Sequence, residues 1–199
     1  MLKELAQFLV EQIFQFGYPG IFALMAIESS FIPFPSEVVL VPAGYLASQE
    51  KMSLGMIFLS AISGSMLGAF INYYLAYFVG RKFLQKFGKY FFISNSTLDK
   101  METFFQKHGA ISTFTGRLLP GIRQLISIPA GLARMNVFTF AIFTALGAGI
   151  WSLILILLGY FIGENQELIN QYLKQITFLI LILVIMFLFI YYKIKTKKV

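Results

Sequence analysis

Two stretches of this chain, residues 52–80 and 135–163, leave little choice of fold. The first holds only Met, Ser and apolar types around Asn72, and the second carries no charged residue. A backbone inside lipid has no water to bond to, so each stretch must satisfy its own N–H and C=O groups as a helix. Both are longer than the roughly 20 residues that cross a bilayer, and a shorter apolar run, residues 176–192, adds a third span. Hydrophobic residues make up 58% of the chain and charged residues 13%, against about 25% charged in ordinary soluble domains. The chain therefore reads as an all-α polytopic membrane protein with a single membrane domain over residues 1–199.

The two long runs are copies of one another. Gly64 to Gly80 and Gly147 to Gly163 are each sixteen residues apart and end as AYFVG and GYFIG, and upstream of them stand PAGYLA and PAGLA. We read an internal duplication, with repeat 1 over about residues 1–80, repeat 2 over about 95–163, and the span at 176–192 without a counterpart. Each repeat opens with an amphipathic segment. Residues 2–16 put Leu5, Phe8, Leu9, Gln12 and Phe16 near one helical face. Residues 97–107 form a second such segment, opened by Ser96 with Asp99 as a capping box and closed by Gly109, which places His108 at a helix C-terminus in the interface.

Between amphipathic segment and long helix lies a proline-broken apolar stretch. Residues 17–48 contain Pro33, Pro35 and Pro42, and residues 109–133 contain Pro120 and Pro129. Each leg has only about 10 to 15 residues, too few to cross, so each stretch is expected to be a re-entrant helical hairpin, shaped by Pro33 and Pro35 in the first and by Pro120, Gly121 and Pro129 in the second. Near the middle of each sits a charge pair, Glu28 with Glu37 and Arg117 with Arg123. Ionisable groups at membrane depth are costly, and they mark functional sites by default.

Charge also sets the orientation. The net charge of +7 would suggest nucleic acid in a soluble protein, but no nucleic acid is expected here, because the cations crowd beside apolar runs. The tail KIKTKKV has four lysines, and residues 81–108 have six Lys/Arg against two acids. Both segments are expected in the cytoplasm, the C-terminus included. The single span 52–80 then puts the hairpins on opposite sides, so the repeats are inverted, an architecture common among secondary transporters. No cleavable signal peptide is evident in a start that mixes Lys3, Glu4 and Glu11. Cysteine is absent and His108 is the one histidine, so neither a metal cluster nor a cofactor is expected.

Glu28-x8-Glu37 with its intervening prolines, the run Gly116-Arg117-x-x-Pro120-Gly121-x-Arg123, Ser127-Ile-Pro-Ala-Gly131 and the Gly-Tyr-x-x-Gly at 159–163 resemble the DedA family of bacterial membrane proteins, relatives of the VTT-domain lipid scramblases. The resemblance covers about residues 15–163. It implies a multi-pass protein of the bacterial cytoplasmic membrane that translocates lipid, with undecaprenyl phosphate or phosphatidylethanolamine as cargo and a link to proton-motive force. It also implies that Glu28, Glu37, Arg117 and Arg123 are required. The expected partners are a lipid phosphate, membrane lipids and protons, and a homodimer is left open.

The chemistry of these residues agrees. Two arginines on a broken segment can hold a phosphate through planar bidentate contacts. An unpaired carboxyl in a low dielectric favours its neutral form, so Glu28 and Glu37 can carry protons or, when the site is empty, pair with the arginines. Asn72 and Ser127 are candidates for lining the cavity. Plainer readings stand beside these: the acids as helix caps, the arginines as structural ties, Asn72 as an interhelical hydrogen bond, and Gly64, Gly68, Gly147 and Gly149 as close packing points. Trp151 is assigned no chemistry. The favoured activity is an anionic-lipid flippase and not an enzyme. The alternatives are a zwitterionic phospholipid translocase or scramblase, a proton-coupled ion antiporter, and a lipid phosphatase, the last disfavoured for want of a nucleophile or ligand set.

Overall fold

The computed structural model describes residues 2–30, 35–80, 95–119, 121–162 and 165–196. It is all-helical in those residues: α1 (Leu2–Glu28), α2 (Glu37–Ser48), α3 (Leu54–Leu75, continued by a π-helical turn Ala76–Gly80), α4 (Asn95–Leu118), α5 (Ser127–Leu132), α6 (Val137–Ile162) and α7 (Gln166–Thr196). Among the described residues three segments are long and apolar enough to cross a membrane: Leu54–Gly80, Val137–Ile162 and Gln171–Lys193. Large apolar side chains such as Leu59, Phe78, Phe138, Phe161 and Phe189 lie exposed on the outside. A soluble protein would not tolerate such a surface, whereas lipid solvates it.

Local chemistry sets the helix boundaries. Gly17 takes φ 58° and ψ −148°, a conformation open chiefly to glycine, and so divides α1 into an initial helix and a second leg that begins near Pro19. Asn136 and Asn165 cap α6 and α7, their Oδ1 atoms accepting the N–H groups of Thr139 and Leu168 at 3.1 Å each. The short legs α2 and α5 end alike. Glu50 and Arg134 take positive φ, and the N–H groups of Lys51 and Met135 donate back to Leu46 and Ala130 at 3.0 Å, which satisfies carbonyls that the helix end leaves open.

The chain folds back on itself twice. The Ser53 N–H donates to Tyr18 Oη at 2.9 Å, so the second leg of α1 and α2 run antiparallel. In the other half Gly109 and Thr113 both meet the sulfur of Met135, which brings the residue after α5 beside the middle of α4. The packing is reciprocal. First legs lie on the long helix of their own half, α1 on α3 and α4 on α6, whereas return legs lie on the long helix of the other half, α2 on α6 and α5 on α3. Glycines make this possible. A Cβ at Gly44 would overlap the Ile156 carbonyl, one at Gly159 the Val41 carbonyl, and one at Gly131 the Tyr73 carbonyl. The main apolar core, with Ile21, Leu40, Leu46, Ile57, Leu155 and Ile156, fills the space between α1, α2, α3 and α6. Helix α7 touches this body through buried Ile180 and Val184 and partly buried Leu173 and Ile176, while most of its other apolar side chains are exposed.

Two expectations need correction. Gly109 does not close a helix: α4 continues through it to Leu118, because the missing Cβ makes room for Met135 and does not serve as a cap. His108 is therefore not at a C-terminus. It lies mid-helix, stacked on Phe104 with Nδ1 3.1 Å from the Tyr191 hydroxyl of α7. The faces of residues 2–14, the Ser96–Asp99 capping box, Pro33 and Pro120 lie outside the described residues and side chains.

Candidate functional site

All four singled-out charges fall at the ends of the short legs. Glu28 is the last residue of α1, Glu37 the first of α2, Arg117 lies in the last turn of α4, and Arg123 sits in the turn leading to α5. That turn uses Gly121 at φ 80°, where a side chain would be strained. Pro35 is exposed just before α2, and Pro129 lies within α5. The acid at the start of α2 and the guanidinium at the end of α4 each face the helix dipole favourably, but Glu28 at the end of α1 faces it unfavourably.

The two turns meet at one residue of α3. Asn72 Nδ2 donates to the Ser29 carbonyl at 3.2 Å and to the Gln124 carbonyl at 3.3 Å, so one carboxamide ties both. Across this junction Arg123 Nη2 lies 3.1 Å from Glu28 Oε1 and 3.7 Å from Glu37 Oε1. The guanidinium also stacks over Trp151 at 5.1 Å, and the Trp151 indole N–H donates to Ser36 Oγ at 3.2 Å. Arg123 thus has two acids and an aromatic face. Arg117 is treated differently: Nη2 donates to Ser127 Oγ at 2.9 Å, and among the described residues no carboxylate lies within ion-pair distance of it.

Glu28, Arg117, Arg123, Asn72 and Ser127 are all buried, and Glu37 keeps a side-chain exposure of 28%. Burial at this level makes every unsatisfied polar atom expensive. Even so, Arg117 Nε, Arg123 Nε, Asn72 Oδ1 and Glu28 Oε1 have no hydrogen-bond partner among the described residues. Glu28 Oε1 is close enough to Arg123 for an ion pair, but the angle is not that of a hydrogen bond, so the attraction is mainly Coulombic. Glu28 Oε2 is held by the Ser29 hydroxyl at 2.9 Å. Beside these groups lies a cavity of about 10 Å³, lined by Glu28, Ser29, Ser65, Arg117, Arg123, Trp151 and Ser152 among others. It has room for about one water molecule and none for a phosphate.

The charged residues were visible in the sequence because they interrupt apolar runs. The neutral groups around them, Ser29, Ser36, Ser65, Trp151 and Ser152, were not. Their one signal was the spacing of Ser65 beside Gly64 and Ser152 beside Trp151, which reads equally well as packing.

Fold and site together define an integral membrane protein with a cluster of two acids and two arginines, of which Glu28, Arg117 and Arg123 are buried. The chain belongs to the VTT domain family, known in bacteria as the DedA family, whose domain matches residues 34–161. It is 40% identical over 184 residues to the uncharacterized membrane protein YkoX of Bacillus subtilis (90% of this chain, 81% of that protein). It is 36% identical over 182 residues to the undecaprenyl phosphate transporter A of Bacillus subtilis (91% and 89%). An alkaline phosphatase-like protein of Lactococcus lactis subsp. lactis is 34% identical over 180 residues (88% and 84%). No solved structure matches the chain.

Proposed function

We propose that this protein is a flippase for undecaprenyl phosphate or a related anionic lipid of the bacterial cytoplasmic membrane, with transport linked to protons. The observation that carries this reading is the cluster in which Arg123 is held by Glu28 and Glu37 while Arg117 has no acid within ion-pair distance among the described residues. In the empty site the acids occupy part of the phosphate receptor. A lipid phosphate displaces them from Arg123 and gains both guanidinium groups, and the freed carboxylates then take up protons, since an unpaired buried carboxylate is costly. The transporter name of a 36% identical relative supports the substrate class, and the phosphatase-like name of another makes product formation worth measuring.

In the same reading the antiparallel pairs α1–α2 and α4–α5 are re-entrant hairpins that enter from opposite faces. The two repeats are inverted, and the lysine-rich segments, the C-terminus among them, face the cytoplasm. The reciprocal packing of the return legs supports this arrangement. A zwitterionic phospholipid is the second reading, because the partly exposed Glu37 beside Arg123 could hold an amine next to the phosphate.

The test is an Arg117→Lys, Arg123→Lys double variant. Lysine keeps the charge and loses the planar fork, and a charge-assisted hydrogen bond contributes on the order of 1.5–3 kcal/mol. Binding and transport of lipid phosphate should collapse in protein that still inserts and melts cooperatively. Unchanged phosphate-lipid binding in that variant would remove the arginines from the site, and release of inorganic phosphate by the wild type would replace transport with hydrolysis.

A further inference from the structure

Ser65 and Ser152 stand on the two long helices, one in each repeat, and both open into the cavity at the arginine pair. They are 2% and 1% exposed. A serine inside a helix usually returns its hydroxyl to the carbonyl three or four residues back, as Ser63 does toward Leu59 and Thr115 toward Ile111. Among the described residues neither Ser65 nor Ser152 makes a hydrogen bond of this kind or of any other. The cavity of about 10 Å³ that they share is lined by Arg117 and Arg123 as well. The Nε atoms of both arginines are buried without a hydrogen-bond partner among the described residues.

We infer that Ser65 and Ser152 are phosphate ligands that select a lipid phosphate monoester over a phosphodiester. The inference rests on the flippase reading and adds to it the residues that tell one headgroup from another. A monoester offers three terminal acceptor oxygens, whereas a diester has two, its other oxygens being bridging and weak acceptors. The guanidinium forks suit two oxygens. Hydroxyl donors arriving from a different pair of helices suit the third. A serine hydroxyl can also accept, so a singly protonated monoester keeps its partners, while a second ester linkage would offer Ser65 and Ser152 only a weakly accepting bridging oxygen.

The test measures equilibrium binding of radiolabelled monododecyl phosphate and, separately, of short-chain phosphatidylglycerol to the detergent-purified full chain. Wild type is compared with S65A, S152A, the S65A/S152A double and R117K. Losing hydrogen bonds to a charged group should weaken monoester binding in the double variant by about tenfold or more, with diester binding within about twofold of wild type and each single variant in between. The single variants, judged by their melting, keep the comparison valid if the double does not fold. Equal losses for both lipids, or monoester binding at the wild-type level, overturns the serine assignment while R117K still shows the arginine site to be real. If R117K binds the monoester as tightly as wild type, the arginine reading fails and the serine assignment goes with it.

Discussion

Replacing Glu28 by Gln separates the two uses of that carboxylate. Glu28 is 3% exposed and Arg123 8%, and their 3.1 Å contact is the nearest charge compensation Arg123 has. Removing one partner of a buried pair typically costs about 3–5 kcal/mol. Three contacts soften that cost: Glu37 remains at 3.7 Å, Trp151 remains beneath the guanidinium, and the new carboxamide can still take the Ser29 hydrogen bond. A loss nearer ~1.5–3 kcal/mol is expected. At roughly 2–4 °C per kcal/mol for a chain of this size, the empty variant should melt some 3–12 °C lower. On the proposed reading the sign reverses in binding, because lipid phosphate no longer has to displace Glu28. Affinity should rise about tenfold, with a tenfold change equivalent to about 1.4 kcal/mol, so added monododecyl phosphate should stabilise the variant more than the wild type. Trp151, the one tryptophan of the chain, reports the melt in detergent with and without that lipid. In vesicles the same variant should lose part of its response to an imposed pH gradient. A melt and a phosphate response both equal to wild type would refute the reasoning. A lower melt with no gain in phosphate response would make Glu28 a structural tie and end the competition scheme.

The proposed inverted topology predicts that single cysteines at Ser53 and Ser94, placed in a chain that has none of its own, are labelled by an impermeant reagent from opposite faces of the membrane; labelling of both from one face refutes it. The reciprocal packing predicts that Gly44→Ala and Gly131→Ala carry similar penalties, since each new Cβ would overlap a carbonyl of the opposite long helix. Overpacking of this kind costs about 1–3 kcal/mol, read as a lower melting temperature in both variants, whereas Gly55→Ala, with no such backbone neighbour, should melt close to wild type.

What the sequence disclosed followed from its solvent. Residues 52–80 and 135–163 were legible as spans, and appear as Leu54–Gly80 and Val137–Ile162, because lipid demands long apolar helices whatever the rest of the fold does. Glu28, Glu37, Arg117 and Arg123 were legible because a charge in such surroundings requires a reason. Gly109 misled, since a glycine that admits a distant side chain has the same sequence appearance as one that ends a helix, and only the position of Met135 separates the two. Ser65 and Ser152 were silent for a related cause: a serine in an apolar helix is ordinary until its hydroxyl proves to lack the usual backbone acceptor. Which acid meets which arginine was not legible at all, because the pairing is made across two turns brought together by Asn72, far apart in the chain.

That unequal pairing bears on how the site opens. Arg123 lies between the two acids of the first pair of legs, and Trp151 beneath it is hydrogen-bonded to Ser36, the residue before Glu37. Arg117 is fastened within its own half, to Ser127. On the proposed reading, drawing the phosphate onto Arg123 releases Glu28 and Glu37 together and so loosens the first turn from the second, while Arg117 keeps its place against α5. Among the described residues, the Asn72 hydrogen bonds then still hold the two turns together, and they are neutral and individually modest. Opening at the turns need not disturb the glycine contacts that seat the return legs on α3 and α6, because those contacts lie along the helices and not at their tips. On that reading the ion pairs serve as the closure between the two turns, and the lipid phosphate proposed to break them is also the group the arginines are suited to hold.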